Sequence, residues 1–418
     1  MTLLGLLASL LTLSAVFGVI NARTLRLPNA TGILLFALLA SLVLVLVDPL
    51  IPAIDLRAWS RGVLGTIDLP RTLLDDALSF LLFAGALQVD LGQLWARKLD
   101  VLALALVGTL LAVALFGGAM WFVFPLIGVP VPLVWCIVLG AILAPTDPVS
   151  VVAMLRRLGL PGPLQAVFAG ESLFNDGVGV VVASVALGVA TGSGAMVGAI
   201  GITARFLTEA GGGSLLGLLL GVVAMRFMRA VEDAQLELII SLALATGTFS
   251  LANALGTSGP IAVVVAGLSM GTRLSLTAMS QDNQRQLMAF WSLIDEVLNA
   301  LLFLLIGFEV LAVAFQWPYA IAVLVAIPLS LAVRAISILV ATLPVRLPRR
   351  DRESALVVLT WGGLRGGISV ALALGLPQSD VRPVLLAVCY GVVVFTIVVQ
   401  GLTMERIARR FFKPENRT

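Results

Sequence analysis

Leu139 to Val181 reads LGAILAPTDPVSVVAMLRRLGLPGPLQAVFAGESLFNDGVGVV, and this stretch decides the fold. An apolar run is interrupted by Pro145-Thr146-Asp147-Pro148, and a basic turn follows at Arg156 and Arg157. A second apolar run then carries Glu171, Ser172, Asn175 and Asp176. Each run is long enough to cross a bilayer, for which about 20 residues suffice. Acids inside such material (Asp147, Glu171, Asp176) are costly. A charge near the bilayer centre costs about 2.5–3.5 kcal/mol on insertion scales, so these groups mark ion or proton pathways.

The rest of the chain has the composition of a polytopic membrane protein. Of 418 residues, 60% are hydrophobic and 12% charged, where a soluble domain carries about 25% charged residues. The mean hydropathy is +1.10 and the pI about 9.3. The basic balance comes from loops, because no stretch interleaves clustered cations with stacking aromatics as a nucleic-acid surface would. There is no histidine. That removes the usual near-neutral switch and the usual zinc ligand, and leaves proton chemistry to carboxylates. Cys136 and Cys389 sit in apolar runs and suggest neither a disulfide framework nor a metal site.

Working outward, apolar runs suggest about thirteen helices. The run Leu3 to Ile20 lacks a basic leader, its arginines follow it, and it reads as a retained first helix. Then come Ile33 to Val47, Leu73 to Gln88, Val101 to Phe124, the broken Leu133 to Met154, and Leu164 to Ala190. Residues 195–207 and 215–228 are separated by Glu209 and Gly211-Gly212-Gly213, and read as an interfacial piece followed by one span. The remaining spans are Leu236 to Ala254, Ile261 to Met270, Leu287 to Phe315, Tyr319 to Leu343, Ala355 to Leu376 and Pro383 to Leu402. With the N-terminus outside, nineteen of the 26 basic residues fall in inner loops and a cytoplasmic C-terminal tail, and four in outer loops. That asymmetry is what the positive-inside rule demands.

Two cations lie inside spans: Arg334, and Arg365 in Trp361-Gly362-Gly363-Leu364-Arg365-Gly366-Gly367. The glycine-flanked break occupies the penultimate helix of the last triplet. The Thr146-Asp147-Pro148 break occupies the corresponding place in the triplet formed by helices four to six. Paired interruptions of this kind point to a transporter built from inverted repeats. Unpaired backbone at membrane depth persists only where protein or a water-filled cavity satisfies it. In the sixth helix, Ser172 and Asp176 form one i,i+4 stripe and Glu171 and Asn175 another. One stripe can face a cation, for which hydroxyl, carboxylate and carbonyl oxygens are suitable ligands. The other can face a partner helix, where Glu171 needs a counter-charge and Arg334 is the natural candidate. Blander roles fit too: Thr-Asp-Pro as a helix cap, Glu171–Arg334 as a structural pair, and Arg365 as a clamp on backbone carbonyls. Asp90, Arg97 and Asp100 read as solvated loop charges. Asp295, Glu296 and Asn299 in the tenth helix read as an intermediate case at a cavity entrance.

Thr146-Asp147-Pro148, Gly170-Glu171-Ser172-x-x-Asn175-Asp176-Gly177, the lone Arg334 and Gly362-Gly363-Leu364-Arg365-Gly366 together resemble the NhaP/NHE branch of the cation/proton antiporters. Leu298-Asn299-Ala300-Leu301-Leu302-Phe303 extends the resemblance, which covers nearly the whole chain. The resemblance implies an all-α membrane fold of thirteen helices with two inverted triplets and crossing broken helices. The core triplets would be 101–190 and 318–410, with 1–100 and 195–316 serving mainly dimerisation and linkage. It implies a sodium/proton antiporter rather than an enzyme: a homodimer in the bacterial plasma membrane, contacting lipid but not nucleic acid. It would need no cofactor beyond the transported Na⁺ and H⁺. Asp176 would be the ion and proton carrier, with Ser172 and the Thr146 backbone as co-ligands of Na⁺. Asp147 would lie in the helix crossing, and Glu171–Arg334 would hold Asn175. Arg365, Gly362 and Gly363 would support the second break. Asn175, where electrogenic relatives carry Asp, would imply one-for-one electroneutral exchange.

One departure is Phe83-Ala84-Gly85-Ala86-Leu87, where many members carry a glutamate in the third helix. It bears on the choice between Na⁺, K⁺ and Li⁺, and a K⁺/H⁺ antiporter of the same fold stays open. The short segment after the thirteenth helix is expected to leave out the long regulatory tail of animal relatives. From other classes, an intramembrane aspartyl protease could use Asp147 and Asp176, but its Gly-x-Gly-Asp signature is absent. A cation channel would not call for broken helices in paired positions.

Overall fold

A computed structural model describes residues 3–47, 69–147, 162–192, 199–231, 233–271, 280–309, 316–343 and 349–411, and all secondary structure among them is helical. The first half contains α1 (Leu3–Arg23), α2 (Asn29–Val47), α3 (Leu69–Leu87), the short α4 (Leu91–Ala96), α5 (Lys98–Leu126), α6 (Leu133–Ile142) and α7 (Gly162–Ala190). Next come α8 (Ala199–Arg229), α9 (Ala234–Ala254), α10 (Gly259–Met270) and α11 (Gln281–Glu309). The chain closes with α12 (Trp317–Ala341), α13 (Arg349–Trp361), α14 (Gly367–Leu374) and α15 (Arg382–Phe411). Among the described residues seven helices, α5, α7, α8, α9, α11, α12 and α15, are long and apolar enough to cross a membrane, and shorter apolar helices pack beside them. The protein is an integral membrane protein. The half-helix expected after Pro148, with Arg156 and Arg157, lies outside the described residues, as do the end of the tenth expected span, Arg273 and Arg346.

Helix starts follow local chemistry. Asp233 Oδ1 accepts from the amides of Gln235 and Leu236, and Ser258 Oγ accepts from the Ile261 amide just after Pro260. Such caps satisfy amides that the first helical turn leaves unpaired. Asp90, expected to be a solvated charge, is exposed but caps α4 by accepting from Gly92 and Gln93. Arg97 and Asp100 pair with each other at 3.2 Å.

One expectation is corrected. Residues 199–229 form a single unbroken helix, not a surface piece followed by a span. The glycines do not break α8, because Gly212 and Gly213 lie on its contact face while Gly211 meets open space. A Cβ at Gly213 would lie 2.6 Å from the Ser258 carbonyl oxygen, and one at Gly217 would collide with the Ala262 carbonyl. Glycines four residues apart let α8 lie directly on α10, the usual way that small residues bring membrane helices together.

Packing divides into two main bodies. One gathers α5, α6, α12, α14 and α15 around Phe116, Met120, Leu139, Val370 and Val388. The other gathers α3, α8, α9, α10 and the first half of α11 around Phe83, Met228, Val263 and Trp291. Trp291 is fully buried, packs against Phe83 with ring centroids 4.6 Å apart and planes tilted by 47°, and donates its indole N–H to Ser241 Oγ. Both α5 and α15 contain a π-helical turn, at Ala103–Gly108 and Thr396–Gln400.

Candidate functional site

The two interrupted helices meet. After α6 ends at Ile142 the chain runs irregularly through Asp147, and between α13 and α14 it runs irregularly through Gly363 to Gly366. The Asp147 amide donates to the Leu364 carbonyl at 2.8 Å, joining one break to the other. A Cβ at Gly366 would sit 2.9 Å from Asp147 Cβ, so glycine is what allows the approach. Arg365 Nη1 donates to the carbonyls of Ala144 and Pro145, two acceptors left behind by the end of α6. The backbone amide of Arg365 donates to Thr396 Oγ1, and Gln400 Nε2 donates to the Trp361 carbonyl. Both acceptor and donor side chains come from the π turn of α15. Their role was not read from the sequence. The signal lies in Thr396 and Gln400 themselves, the polar pair at i,i+4 in an otherwise apolar run.

α7 lies against the first break and presents the two expected stripes. Glu171 is 0% exposed and Arg334 of α12 binds it through both terminal nitrogens, Nη1 to Oε1 at 2.7 Å and Nη2 to Oε2 at 2.9 Å. The fork geometry is the strongest form of carboxylate recognition available to a side chain. A Cβ at Gly363 would lie 2.8 Å from Arg334 Nε, so that glycine makes room for the guanidinium. Asn175 Nδ2 donates both to Glu171 Oε1 at 3.0 Å and to Thr146 Oγ1 at 2.8 Å, while Asn175 Oδ1 accepts from the Thr146 amide at 3.3 Å. Thr146 Oγ1 and Ser172 Oγ are 3.0 Å apart. A continuous chain of hydrogen bonds thus runs from Arg334 through Glu171 and Asn175 to Thr146 and Ser172.

Asp176 stands at the end of the other stripe. It is 4% exposed, and its Oδ1 is buried with no hydrogen-bond partner among the described residues. Beside it is a cavity of about 50 Å³ lined by Asp147, Thr146, Asp176, Gly366 and residues of α3 and α11. A single water needs about 10–15 Å³, so the space suits a small ion with a remnant of its hydration. The α3 wall is Leu81, Leu82 and Gly85. Ala84, at the place of the expected departure, is fully buried in the packing around Phe83 and Trp291 instead. The α11 wall brings in Asp295 and Asn299. Asp295 therefore lies in the cavity wall, and Asp147, Asp176 and Asp295 share one space. Glu296 turns away and accepts from Asn29 Nδ2 at 2.6 Å. All ten site residues named from the sequence thus gather at the crossing and its immediate support.

The model of the transmembrane sodium/hydrogen exchanger family matches residues 10–410. The chain is 38% identical over 416 residues to a Na⁺/H⁺ antiporter, NhaP, of Pseudomonas aeruginosa, covering 98% of this chain and 97% of that one. It is 33% identical over 353 residues to the Na⁺/H⁺ antiporter NhaH of Halobacillus aidingensis, covering 81% and 83% of the two chains. Among solved structures it resembles the sodium proton antiporter MjNhaP1 of Methanocaldococcus jannaschii, with a TM-score of 0.77, 19% identity and 98% of each chain covered. That last likeness concerns the fold.

Proposed function

The chain belongs to the sodium/hydrogen exchanger family, and from that premise we propose that it exchanges Na⁺ for H⁺ across the bacterial plasma membrane by alternating access. The observation that carries the reading is Asp176, whose buried Oδ1, without a hydrogen-bond partner among the described residues, adjoins a small cavity where two broken helices meet. Asp176 takes cation and proton in turn, since a proton on the carboxylate removes the charge that holds the ion. Ser172 Oγ and the hydroxyl and backbone of Thr146 supply neutral oxygens, which suit a hard alkali cation. Asn175 fixes Thr146, and the Glu171–Arg334 pair fixes Asn175. Arg365, with Gly362 and Gly363, supports the second break, and the Arg365 guanidinium donates hydrogen bonds to carbonyls that would otherwise be unsatisfied at membrane depth. Asp147 holds the crossing and adds negative charge beside the carrier.

A moving core of 101–190 and 318–410 works against a scaffold drawn from 1–100 and 195–316, in which α3, α8, α9 and α10 make up most of the body around Phe83 and Trp291. Sliding of the first on the second would open the cavity to one side and then the other. The outward face of α8, with Leu207, Leu215, Leu218 and Phe227 exposed, is apolar enough for lipid or a second subunit, in keeping with a homodimer. The N-terminus lies outside and the C-terminus in the cytoplasm, as the basic loops favour. The protein is a transporter without cofactor or enzymatic activity. Exchange is one Na⁺ for one H⁺, because Arg334 neutralises Glu171 and Asn175 carries no charge.

The test is Asp176→Asn in proteoliposomes, which keeps the side-chain shape and removes the exchangeable charge. Na⁺-driven proton movement should fall to background while the protein still inserts and folds. Exchange retained above background would remove Asp176 from the carrier role. Running Li⁺ and K⁺ beside Na⁺ identifies the cation, and K⁺-driven exchange without Na⁺ response would favour the K⁺/H⁺ alternative.

A further inference from the structure

The exchange described above leaves one side of the cavity without a task. That side is α11, and it contributes Asp295 and Asn299. Asp295 is 5% exposed and lies near the midpoint of a helix of 29 residues. Its Oδ1 accepts from Asn299 Nδ2 at 3.1 Å, and no basic side chain of the described residues forms an ion pair with it. A carboxylate at such depth without a cationic partner is expensive, and in membrane proteins it marks an ion path. Its neighbour Glu296 has a structural partner in Asn29, so the two adjacent acids do different things. Among the described residues, the α3 wall of the same cavity is Leu81, Leu82 and Gly85. The same cavity is lined by Asp176, whose Oδ1 is buried with no hydrogen-bond partner among the described residues.

We propose that Asp295, oriented by Asn299, is a second carboxylate ligand for the transported alkali cation, which is shared across the cavity between α7 and α11. This rests on the antiport reading and extends its ligand set. With Nδ2 of Asn299 engaged by Asp295, the Asn299 amide oxygen is left as a further hard ligand, and with Ser172 and Thr146 it makes the oxygen-only shell such an ion prefers. The two carboxylates come from different elements: α7 packs closely against α6 and the first break, and the Trp291 end of α11 packs with α3, α9 and α10. A bound cation therefore ties the crossing to α11. A proton on Asp176 makes no such bridge. Asp295 thus sets cation affinity, and it makes the loaded state and the protonated state mechanically different.

The experiment compares wild type, Asp295→Asn, Asp295→Glu and Asn299→Ala in proteoliposomes at one fixed pH, varying Na⁺. Loss of a charged ligand should raise the apparent KM for Na⁺ roughly tenfold or more in Asp295→Asn, with a smaller change in Vmax, the pattern of lost binding rather than lost turnover. Asp295→Glu should recover part of the affinity, and Asn299→Ala should lose an intermediate amount. In detergent, the Na⁺ concentration that half-stabilises the protein against heat, with choline as control, should rise by a matching factor in Asp295→Asn. An unchanged KM with an unchanged melting midpoint overturns the proposal, and so does a fall in Vmax at constant KM. If Asp295→Asn fails to fold, Asn299→Ala decides by the same two readouts. A wild type whose proton flux ignores Na⁺ would defeat the antiport reading itself. The melting titration would still decide whether Asp295 binds the ion.

Discussion

Asn175 carries no charge, yet it is the residue through which the charged part of the site reaches the broken helix. It joins Glu171, which two guanidinium nitrogens hold, to both the amide and the hydroxyl of Thr146. Removing one partner of a buried ion pair strands the other, at about 3–5 kcal/mol. Glu171→Gln and Arg334→Ala should each lower the melting temperature in detergent by amounts of that order. Glu171→Gln combined with Arg334→Gln should recover part of the loss, whereas strictly additive losses in a double-mutant cycle would show that the two do not act as a pair. This much was legible in the chain, because Glu171 and Arg334 are charges in otherwise apolar runs and must find each other. Asp295 was only half legible. Its helix was plain, but whether it or Glu296 faces the cavity depends on how α11 rolls against α3, and no local pattern carries that. Thr396 and Gln400 were missed because their partners are backbone groups of another helix.

At the scale of elements, the breaks were readable and α8 was not. Proline and paired glycines interrupt a helix by removing a donor or adding backbone freedom, so both irregular segments fell where the sequence placed them. Gly211-Gly212-Gly213 carries the same local signal, but tertiary contact with α10 overrides it, as it can override any propensity. The glycines of the crossing can be tested against a glycine with space around it. Gly366→Ala would place a methyl 2.9 Å from Asp147 Cβ, while Gly118→Ala in α5 meets nothing within 4 Å. Overpacking costs about 1–3 kcal/mol, so Gly366→Ala should lower both thermal stability and Na⁺ transport. Gly118→Ala should be neutral or add about 0.5–1 kcal/mol by raising helix propensity. Equal behaviour of the two variants would mean that the crossing is not tightly packed.

Over the whole molecule, composition and charge asymmetry identified a polytopic helical membrane protein, since hydropathy is a bulk property that needs no tertiary contact. How many carboxylates share the ion cavity was not readable in the same way. The sequence suggested Asp176 alone as the freely titrating group, and the fold brings Asp147 and Asp295 to the same space. That makes the stoichiometry of exchange the most informative measurement on the intact protein. With one Na⁺ returned for one H⁺, no net charge crosses. The membrane potential, worth about 2.3 kcal/mol per charge per 100 mV, should then leave the balance point untouched. Proteoliposomes clamped with K⁺ and valinomycin should need the same Na⁺ gradient to balance a fixed pH gradient at every potential. A balance point that tracks the potential would mean that a second proton travels, with the extra carboxylates of the cavity as its carriers.

The hydrogen bond from the Asp147 amide to the Leu364 carbonyl also makes an internal clock. A main-chain proton held this way trades for deuterium only when the bond opens, so its exchange lifetime in heavy water times the parting of the two broken helices without reference to any ion flux. Pro145 and Pro148 have no amide proton, and a fragment spanning residues 144–148 therefore reports on few sites besides Thr146, tied to Asn175 of α7, and Asp147, tied across the crossing. Deuterium uptake by that fragment should slow when Na⁺ replaces choline, and uptake indifferent to Na⁺ would mean that loading leaves the crossing as it was. The prolines that interrupt the first broken helix are thus the same residues that bring its isotope signal close to single-residue resolution.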